Sequence, residues 1–281
     1  MEQATPRPGA GPAGTGVLAA SMRVFDLSLG RMLWSRRTIF TALVAGLPVV
    51  VALVLRTLLA FEVPVMQGGV TGPVVFGLMF WGFVVRFAIP VLAVFYGTAL
   101  IADEVEDRTI TYLFTRPIPR ASVVLGKYLA YLVCATSVLL PAVVLTWLLL
   151  APIDGALAAS FPDLGVDLVI VVVGFVAYGA LFAAVGTIFD RPLLFGLLFV
   201  FGWENLALAL PGQLRRASVA HYLQGLVPHA MPADTPLDVL QRAMTGAPGV
   251  LECALGLGLV TVVGLLIAAR VVSNREYVLE H

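Results

Sequence analysis

The sequence predicts an all-α integral membrane protein with six transmembrane helices, preceded by an amphipathic helix at the membrane interface. Of the 281 residues, 60% are hydrophobic and only 12% are charged, and the mean hydropathy is +0.98. A soluble domain carries about 25% charged residues, because its surface must be largely polar. Six apolar stretches also reach about 20 residues, which is the length that a helix needs to cross a bilayer.

The N-terminal segment divides into a tail and a helix. Residues 1–16 are rich in Gly, Pro and Ala without periodicity, which predicts a disordered cytoplasmic tail. Over 17–37, apolar residues recur at helical spacing, and basic residues lie elsewhere on the helical wheel. This pattern predicts an amphipathic helix that lies in the headgroup layer.

The six predicted spans cover most of the remaining chain. Each must be helical, because the hydrocarbon core offers no water to exposed backbone groups. A tight polar turn, Asp190-Arg191-Pro192, separates the fourth span from the fifth, and proline can open the next helix. The spans form a transmembrane domain over 38–272, which a cytoplasmic tail over 273–281 follows. They are 38–61, 74–102, 122–151, 166–189, 192–211 and 248–272.

The basic residues predict the orientation in the membrane. Arginines concentrate before the first span, in the 103–121 connection and at the C-terminal end, whereas the connections 62–73 and 152–165 contain none. Cytoplasmic segments carry the excess of Arg and Lys, so both termini are predicted to be cytoplasmic. The last outer connection, 212–247, is long and rich in proline, and Thr235 is positioned to begin a short surface helix in it.

The connection between the second and third spans has the most distinctive pattern. A cluster of charged residues follows the second span directly, and Glu104 and Arg108 stand four apart, which stabilises a helix. Apolar residues then recur at i, i+3 and i+4 over 110–114, and Pro117 ends the helix. We predict a stiff cytoplasmic hairpin over 103–121, which could transmit a push to both adjoining spans.

This segment resembles the cytoplasmic loop of the ABC-2 type permeases, which are the membrane subunits of ABC exporters. The layout of interfacial helix, six spans and long last outer loop is similar too, in particular to short permeases of the copper- and nitrous-oxide-maturation type. The chain departs from the family pattern at Arg108, where Gly is usual. The resemblance is carried, in order, by Ala102-Asp103-Glu104, Thr109, Leu113, Arg116-Pro117, Arg120 and Gly126-Lys127.

The resemblance implies the permease subunit of an ABC exporter in a prokaryotic plasma (inner) membrane. It implies that a separate ABC ATPase docks on the hairpin at 103–120 and that the chain pairs with a second permease, either an identical or a homologous one. Alternatively, the charged cluster only marks the membrane boundary. The residues expected to couple the two subunits are Asp103, Glu104, Glu106, Asp107, Arg108, Thr109, Arg116 and Arg120.

The chain lacks a phosphate-binding loop of its own. Lys127, its only lysine, follows Gly126, but Tyr128 replaces the hydroxyl residue and Ala121 replaces the first glycine of a Walker A motif. We therefore expect that this chain is not an enzyme and binds no cofactor. ATP and Mg²⁺ are expected in the partner ATPase.

Metal and nucleic-acid sites are not expected either. The two cysteines lie in apolar runs without Cys/His spacing, and His221 and His229 match no recurrent ligand pattern, although both fall in the outer loop. Seventeen basic and seventeen acidic residues give no net charge, so the chain lacks the basic field that nucleic acid requires.

Two charged residues lie deep within predicted spans. Arg86 is near the middle of the second span and Glu204 is at a similar depth in the fifth. A charge at that depth costs at least a few kcal/mol unless it is paired or hydrated. Our hypothesis is that the two residues pair across the bundle or line a polar pathway. The alternative is that each faces a water-filled crevice independently.

Two other functions fit the same composition. A secondary transporter or channel would need polar residues at broken helices near the midplane, for which Arg86 and Glu204 are the only indication. A membrane scaffold that transports nothing would tolerate loss of the charged residues of the hairpin.

Overall fold

A computed structural model of the chain describes residues 17–33, 36–61, 71–100, 120–153, 157–209, 212–229 and 248–274. These residues form helices and the turns between them, with no strand in the part described. The helices are α1 (Val17–Leu33), α2 (Arg36–Ala60), α3 (Gly72–Gly97), α4 (Arg120–Leu150), α5 (Leu157–Ile188), α6 (192–209), α7 (Val219–Leu226) and α8 (Val250–Asn274).

Five of the described helices are long and apolar enough to cross a membrane. They are Thr38–Ala60, Gly72–Gly97, Ser122–Leu150, Ser160–Ile188 and Val250–Asn274. The remaining predicted span, 192–211, corresponds to α6, whose apolar part, Pro192–Ala207, is shorter. The all-helical membrane fold is thus confirmed, whereas the count of six spans and the position of α1 at the membrane interface stay predictions.

Two helices depart from ideal α-helical geometry at their centres. In α3, a π-helical segment, Phe80–Ala88, separates two α-helical parts. In α6, Phe199–Glu204 is also π-helical, and α6 begins at Pro192 as predicted. π-helical turns inside α-helices are frequent at functional sites.

The helix of the fourth predicted span extends beyond that span. Hydropathy predicts a span from 166, and α5 begins at Leu157. The helix also includes Pro162 and Asp163, which lower the local hydropathy ahead of 166. Hydropathy therefore located the apolar centre of this helix and not its end.

The bundle has two central helices and two peripheral ones. Most of the apolar parts of α3 and α5 are buried, whereas α2 and α8 are largely exposed. An outward apolar face suits a helix that meets hydrocarbon. On α2 and α8 this face includes Leu43, Val50, Leu53, Leu255, Leu259 and Leu266.

Glycine allows the central helices to approach closely. A Cβ atom at Gly179 of α5 would lie 2.2 Å from the Tyr131 ring of α4. The Tyr131 hydroxyl donates to the carbonyl of Phe175, and Tyr128 donates in the same way to Val176. Gly179 therefore serves the packing of α4 against α5 within this chain.

We name the two ends of the bundle by the connections they carry. The hairpin end holds Leu100 and Arg120, which the segment 101–119 joins. The loop end holds the start of α3, where the Gly72 N–H donates to the Ile153 carbonyl after α4.

Candidate functional site

Most of the predicted coupling residues lie outside the described residues. Asp103, Glu104, Glu106, Asp107, Arg108, Thr109 and Arg116 belong to this group, and so does the predicted surface helix after Thr235. Arg120 is the first residue of α4. The structure therefore describes the root of the hairpin, formed by the end of α3 and the start of α4.

A buried lysine braces this root. The Lys127 side chain on α4 is 8% exposed, and its Nζ donates to the carbonyl oxygen of Leu100, 3.0 Å away. Leu100 lies three residues beyond the end of α3, just before the segment 101–119. The only lysine of the chain thus fixes the backbone that follows α3 to α4.

At two glycines, the helices at this root approach the backbone of a neighbouring segment closely. A Cβ at Gly126 of α4 would lie 2.5 Å from the Ser21 carbonyl oxygen of α1, and one at Gly186 of α5 would lie 2.5 Å from the Thr98 carbonyl oxygen. Both neighbours are backbone atoms, which a rotamer change cannot move. Close-packed interiors transmit displacement, so a shift of the backbone at Thr98 acts on α5, and a shift of α4 acts on α1.

The second candidate site lies at mid-bundle, where the π-helical segments of α3 and α6 meet. Nη2 of Arg86 donates to Oδ1 of Asn205 at 3.2 Å, and its guanidinium lies 6.0 Å from the Trp81 ring centre. The structure thus places Arg86 in contact with Asn205, the residue that follows Glu204 in the sequence. An ion pair between Arg86 and Glu204 remains a hypothesis.

Glu204 points into the bundle and joins α6 to the start of α7. Its side chain accepts hydrogen bonds from the Ser218 hydroxyl and from the backbone N–H groups of Val219 at 3.2 Å and Ala220 at 3.3 Å. A carboxylate at a helix N-terminus satisfies orphan N–H groups and interacts favourably with the helix dipole.

Sequence analysis missed α7 and its cap. Ser218 precedes the helix, and its hydroxyl accepts the N–H of His221 at 3.3 Å. A serine just before an apolar-periodic run is an N-cap signal that the sequence does contain. The acceptor of the other N–H groups, Glu204, could not be found this way, because it belongs to a different helix.

A fourth polar contact joins the segment after α7 to the bundle. Nε2 of His229 lies 2.8 Å from Oδ2 of Asp167 on α5. The His229 ring also lies edge-on to the rings of Phe76 and Phe80, and a Cβ at Gly77 would come within 2.9 Å of its Cβ. The sequence did not single out Asp167, whose partner is 62 positions away.

The Asp167–His229 contact is buried on both sides. The Asp167 side chain is 0% exposed, that of His229 is 15% exposed, and Oδ1 of Asp167 has no hydrogen-bond partner among the described residues. Burial lowers the pKa of His229, but the hydrogen bond to Asp167 and the charges of Asp167 and Asp163 outweigh it. The pKa of His229 therefore lies above its ordinary value of 6.5.

We predict that this contact makes stability depend on pH. A raised folded-state pKa means that the stabilisation is complete below about pH 6.5 and is lost as pH rises through the folded pKa. His229→Gln should lower stability by on the order of 3 kcal/mol at pH 6 and by less at pH 9. Thermal unfolding in nanodiscs over this range would measure both effects.

His221→Gln is the matched control for this prediction. Burial lowers the pKa of His221, so its contribution to stability has the opposite pH dependence. Like the wild type, His221→Gln should lose stability at high pH. Parallel curves for the wild type and His229→Gln would contradict the prediction.

Comparison with known families adds one finding. The family model described as ABC-2 family transporter protein matches residues 41–269, which extend from α2 to α8 and make up well over half of the chain. The matched region includes the segment of the predicted hairpin, both π-helical segments and the four polar contacts described above. No curated protein matches the chain.

Proposed function

The chain belongs to the ABC-2 transporter family, and on this premise we propose that it is the permease subunit of an ABC exporter. A separate ATPase subunit would dock on the hairpin at 103–120 and supply the energy. The observation that supports this proposal most strongly is membership of the ABC-2 family. The chain itself is the membrane component, and its sequence contains no Walker A motif.

The braced root of the hairpin supports the proposed coupling. ATP binding would draw two ATPase subunits together, and the hairpin would relay that motion to α3 and α4. The Lys127 brace and the backbone contacts at Gly126 and Gly186 keep this relay rigid. A bistable transporter needs such a connection, since loosely packed residues would absorb the push.

The proposed assembly contains two permeases and two ATPases. The second permease is an identical copy or a homologue, and the translocation path lies between the two. The hairpin end faces the cytoplasm, which places both termini there, and the membrane is the prokaryotic inner membrane. The chain catalyses no bond-making reaction, and ATP and Mg²⁺ bind to the partner.

Affinity purification from native membranes tests this proposal. The tagged chain should recover an ABC ATPase, and ATP should drive transport or conformational exchange in proteoliposomes that contain both subunits. Replacing Glu104 and Glu106 together by lysine should reduce recovery of the ATPase by about tenfold or more, because lost interfacial charge pairs cost about 2 kcal/mol or more.

Glu252→Lys is the control for charge reversal. Glu252 lies at the loop end, where its carboxylate is 3.4 Å from Arg216 and is 44% exposed. This variant should recover as much ATPase as the wild type. Transport driven by an ion gradient without ATP would indicate a secondary transporter, and full recovery of ATPase by the hairpin variant would contradict docking on the hairpin.

A further inference from the structure

The short helix α7 inserts between the two central helices of the bundle. Val219, Ala220 and Leu223 on its inner face are buried. A Cβ at Gly174 of α5 would lie 3.4 Å from Leu223 and 3.1 Å from Ile89 of α3, so the Leu223 side chain reaches the place where α3 and α5 meet. Helix α7 therefore fills space between the central helices, and its removal would open the bundle from the loop end.

Each end of α7 is attached to the bundle by a buried carboxylate. At the start of α7, Glu204 of α6 accepts the N–H groups of Val219 and Ala220. Beyond its C-terminal end, Nε2 of His229 lies 2.8 Å from Oδ2 of Asp167. The first attachment uses backbone N–H groups, whereas the second uses an imidazole, the side chain that most readily changes charge near neutral pH. The second attachment therefore responds to protons in the physiological range.

The surroundings of the second attachment favour a bound proton. Asp167 is 0% exposed, and its Oδ1 has no hydrogen-bond partner among the described residues. Asp163, one turn earlier on α5, adds a second negative charge that acts on His229. Without the proton, the buried carboxylate of Asp167 would lose its positive neighbour, which is costly in an apolar interior. The contact is therefore strong while it holds a proton and weak after the proton has left.

The other elements around His229 have their titratable groups in other contacts. On α3, the stretch Gly72–Val85, which packs beside the imidazole, contains no titratable side chain. On α7, Tyr222 packs against Gly256 of α8. The charges that act on His221 are those of Arg215, Arg216 and Glu252. Among the described residues, the two aspartates of α5 are thus the charges that govern the proton on His229.

We propose that the Asp167–His229 contact is a proton-operated latch, which holds the C-terminal end of α7 in the bundle and so controls opening of the loop end from the outer side of the membrane. At low pH the imidazolium is charged, and α7 is held at both ends. As pH rises through the pKa of His229, which lies above 6.5, the C-terminal end is released while Glu204 still holds the start of α7. This inference rests on the proposed function, which places the loop end outside, and it names a regulation of that transporter.

A native cysteine reports whether this end of α7 is in place. Cys253 of α8 is 0% exposed, and a Cβ at Gly225 of α7 would lie 2.7 Å from its Sγ. When the C-terminal end of α7 leaves the bundle, Cys253 becomes accessible to a reagent in water. Cys134 is the internal control, because it is also 0% exposed and lies beside Tyr96 near the hairpin end.

Labelling of the purified chain in nanodiscs with a membrane-impermeant maleimide tests the latch. Each rate is divided by the rate of a free thiol, glutathione, at the same pH, because the thiolate is the reactive form. Between pH 6 and pH 9 the corrected rate at Cys253 should rise by about tenfold or more, since one linked proton changes an equilibrium by up to about tenfold per pH unit. The corrected rate at Cys134 should stay constant.

Two variants remove the titrating contact. His229→Gln and Asp167→Asn should label rapidly at Cys253 at both pH values, so that the rise with pH falls below about twofold. His221→Gln is the matched control and should keep the rise of the wild type.

Hydrogen exchange of the wild-type chain gives a second measurement that needs no substitution. The protection factors of residues 223–229 should fall by about tenfold or more as pH rises from 6 to 9, because these residues leave the bundle. Those of Val219 and Ala220 should change little, since Glu204 still accepts their N–H groups.

The outcomes separate failure of the latch from failure of the proposed function. A corrected rate at Cys253 that does not depend on pH, or a dependence that persists in His229→Gln, would overturn the latch. So would an equal rise at Cys134, which would indicate general loosening. In intact cells the reagent should reach Cys253 at high external pH; complete protection there, with normal labelling in nanodiscs, would refute the proposed orientation and leave the latch standing. Recovery of no ATPase with the chain would refute the exporter alone.

Discussion

Replacing Glu204 with alanine is expected to destabilise the protein by about 3 kcal/mol or more. The substitution removes the acceptor of three donors: the Ser218 hydroxyl and the N–H groups of Val219 and Ala220. Each buried donor left without a partner costs about 1–3 kcal/mol. The start of α7 would also lose a negative charge that its dipole favours. Thermal unfolding of the purified protein in nanodiscs would measure the loss.

Two further variants make this result specific. Glu204→Gln keeps one acceptor oxygen and should lose less stability than Glu204→Ala. Glu252→Ala removes a carboxylate of the same kind from an exposed ion pair with Arg216. In that pair, 44% of the Glu252 side chain and 58% of the Arg216 side chain are exposed. Exposed pairs contribute about 0–1 kcal/mol, so that variant should unfold close to the wild type. Equal losses at Glu204 and Glu252 would contradict the role of Glu204.

Replacing Gly186 with valine is expected to uncouple transport from ATP hydrolysis and to cost about 1–3 kcal/mol of stability. A Cβ at this position would meet the Thr98 carbonyl oxygen at 2.5 Å and its Cα at 3.0 Å. Because both are backbone atoms, α5 and the end of α3 would have to separate. That separation would loosen the root of the hairpin, so ATP hydrolysis should continue while transport in proteoliposomes falls.

Gly258 is the control position, because a valine side chain there would not meet a neighbouring backbone. It lies in α8, and a Cβ there would have no neighbour within 4 Å. Gly258→Val should change stability by less than about 0.5 kcal/mol and leave transport intact. If the two valine variants behaved alike, the close approach of α3 and α5 would have no part in coupling.

The sequence predicted much of the fold because its signals are local. Apolar runs located the helices, and Pro192 opened α6. The charged segment after the second span predicts a hairpin that lies outside the described residues. The predicted fourth span starts at 166, whereas the helix α5 also includes the less apolar residues before it, among them Pro162 and Asp163. In α6, the apolar composition of the span gave no sign of its π-helical centre.

The candidate sites were predicted less completely. Arg86 and Glu204 were found because charged residues inside an apolar run are conspicuous and costly. Their partners were not found: Asn205 is 119 positions from Arg86, and Ser218 lies in the connection between α6 and α7. Lys127 was conspicuous as the only lysine of the chain, and its acceptor, Leu100, became evident only in the structure.

Composition and spacing by themselves determined that this chain is a helical membrane protein, and they predict a charged hairpin between two of its spans. The helical membrane fold follows from the cost of placing polar atoms in hydrocarbon, which each segment meets separately. The tertiary structure alone decided that Glu204 caps α7, that Asp167 holds His229 and that Lys127 on α4 holds the Leu100 carbonyl after the end of α3. These pairings depend on which helices pack together, because a buried polar group must find its partner across the bundle and sequence distance does not limit the choice.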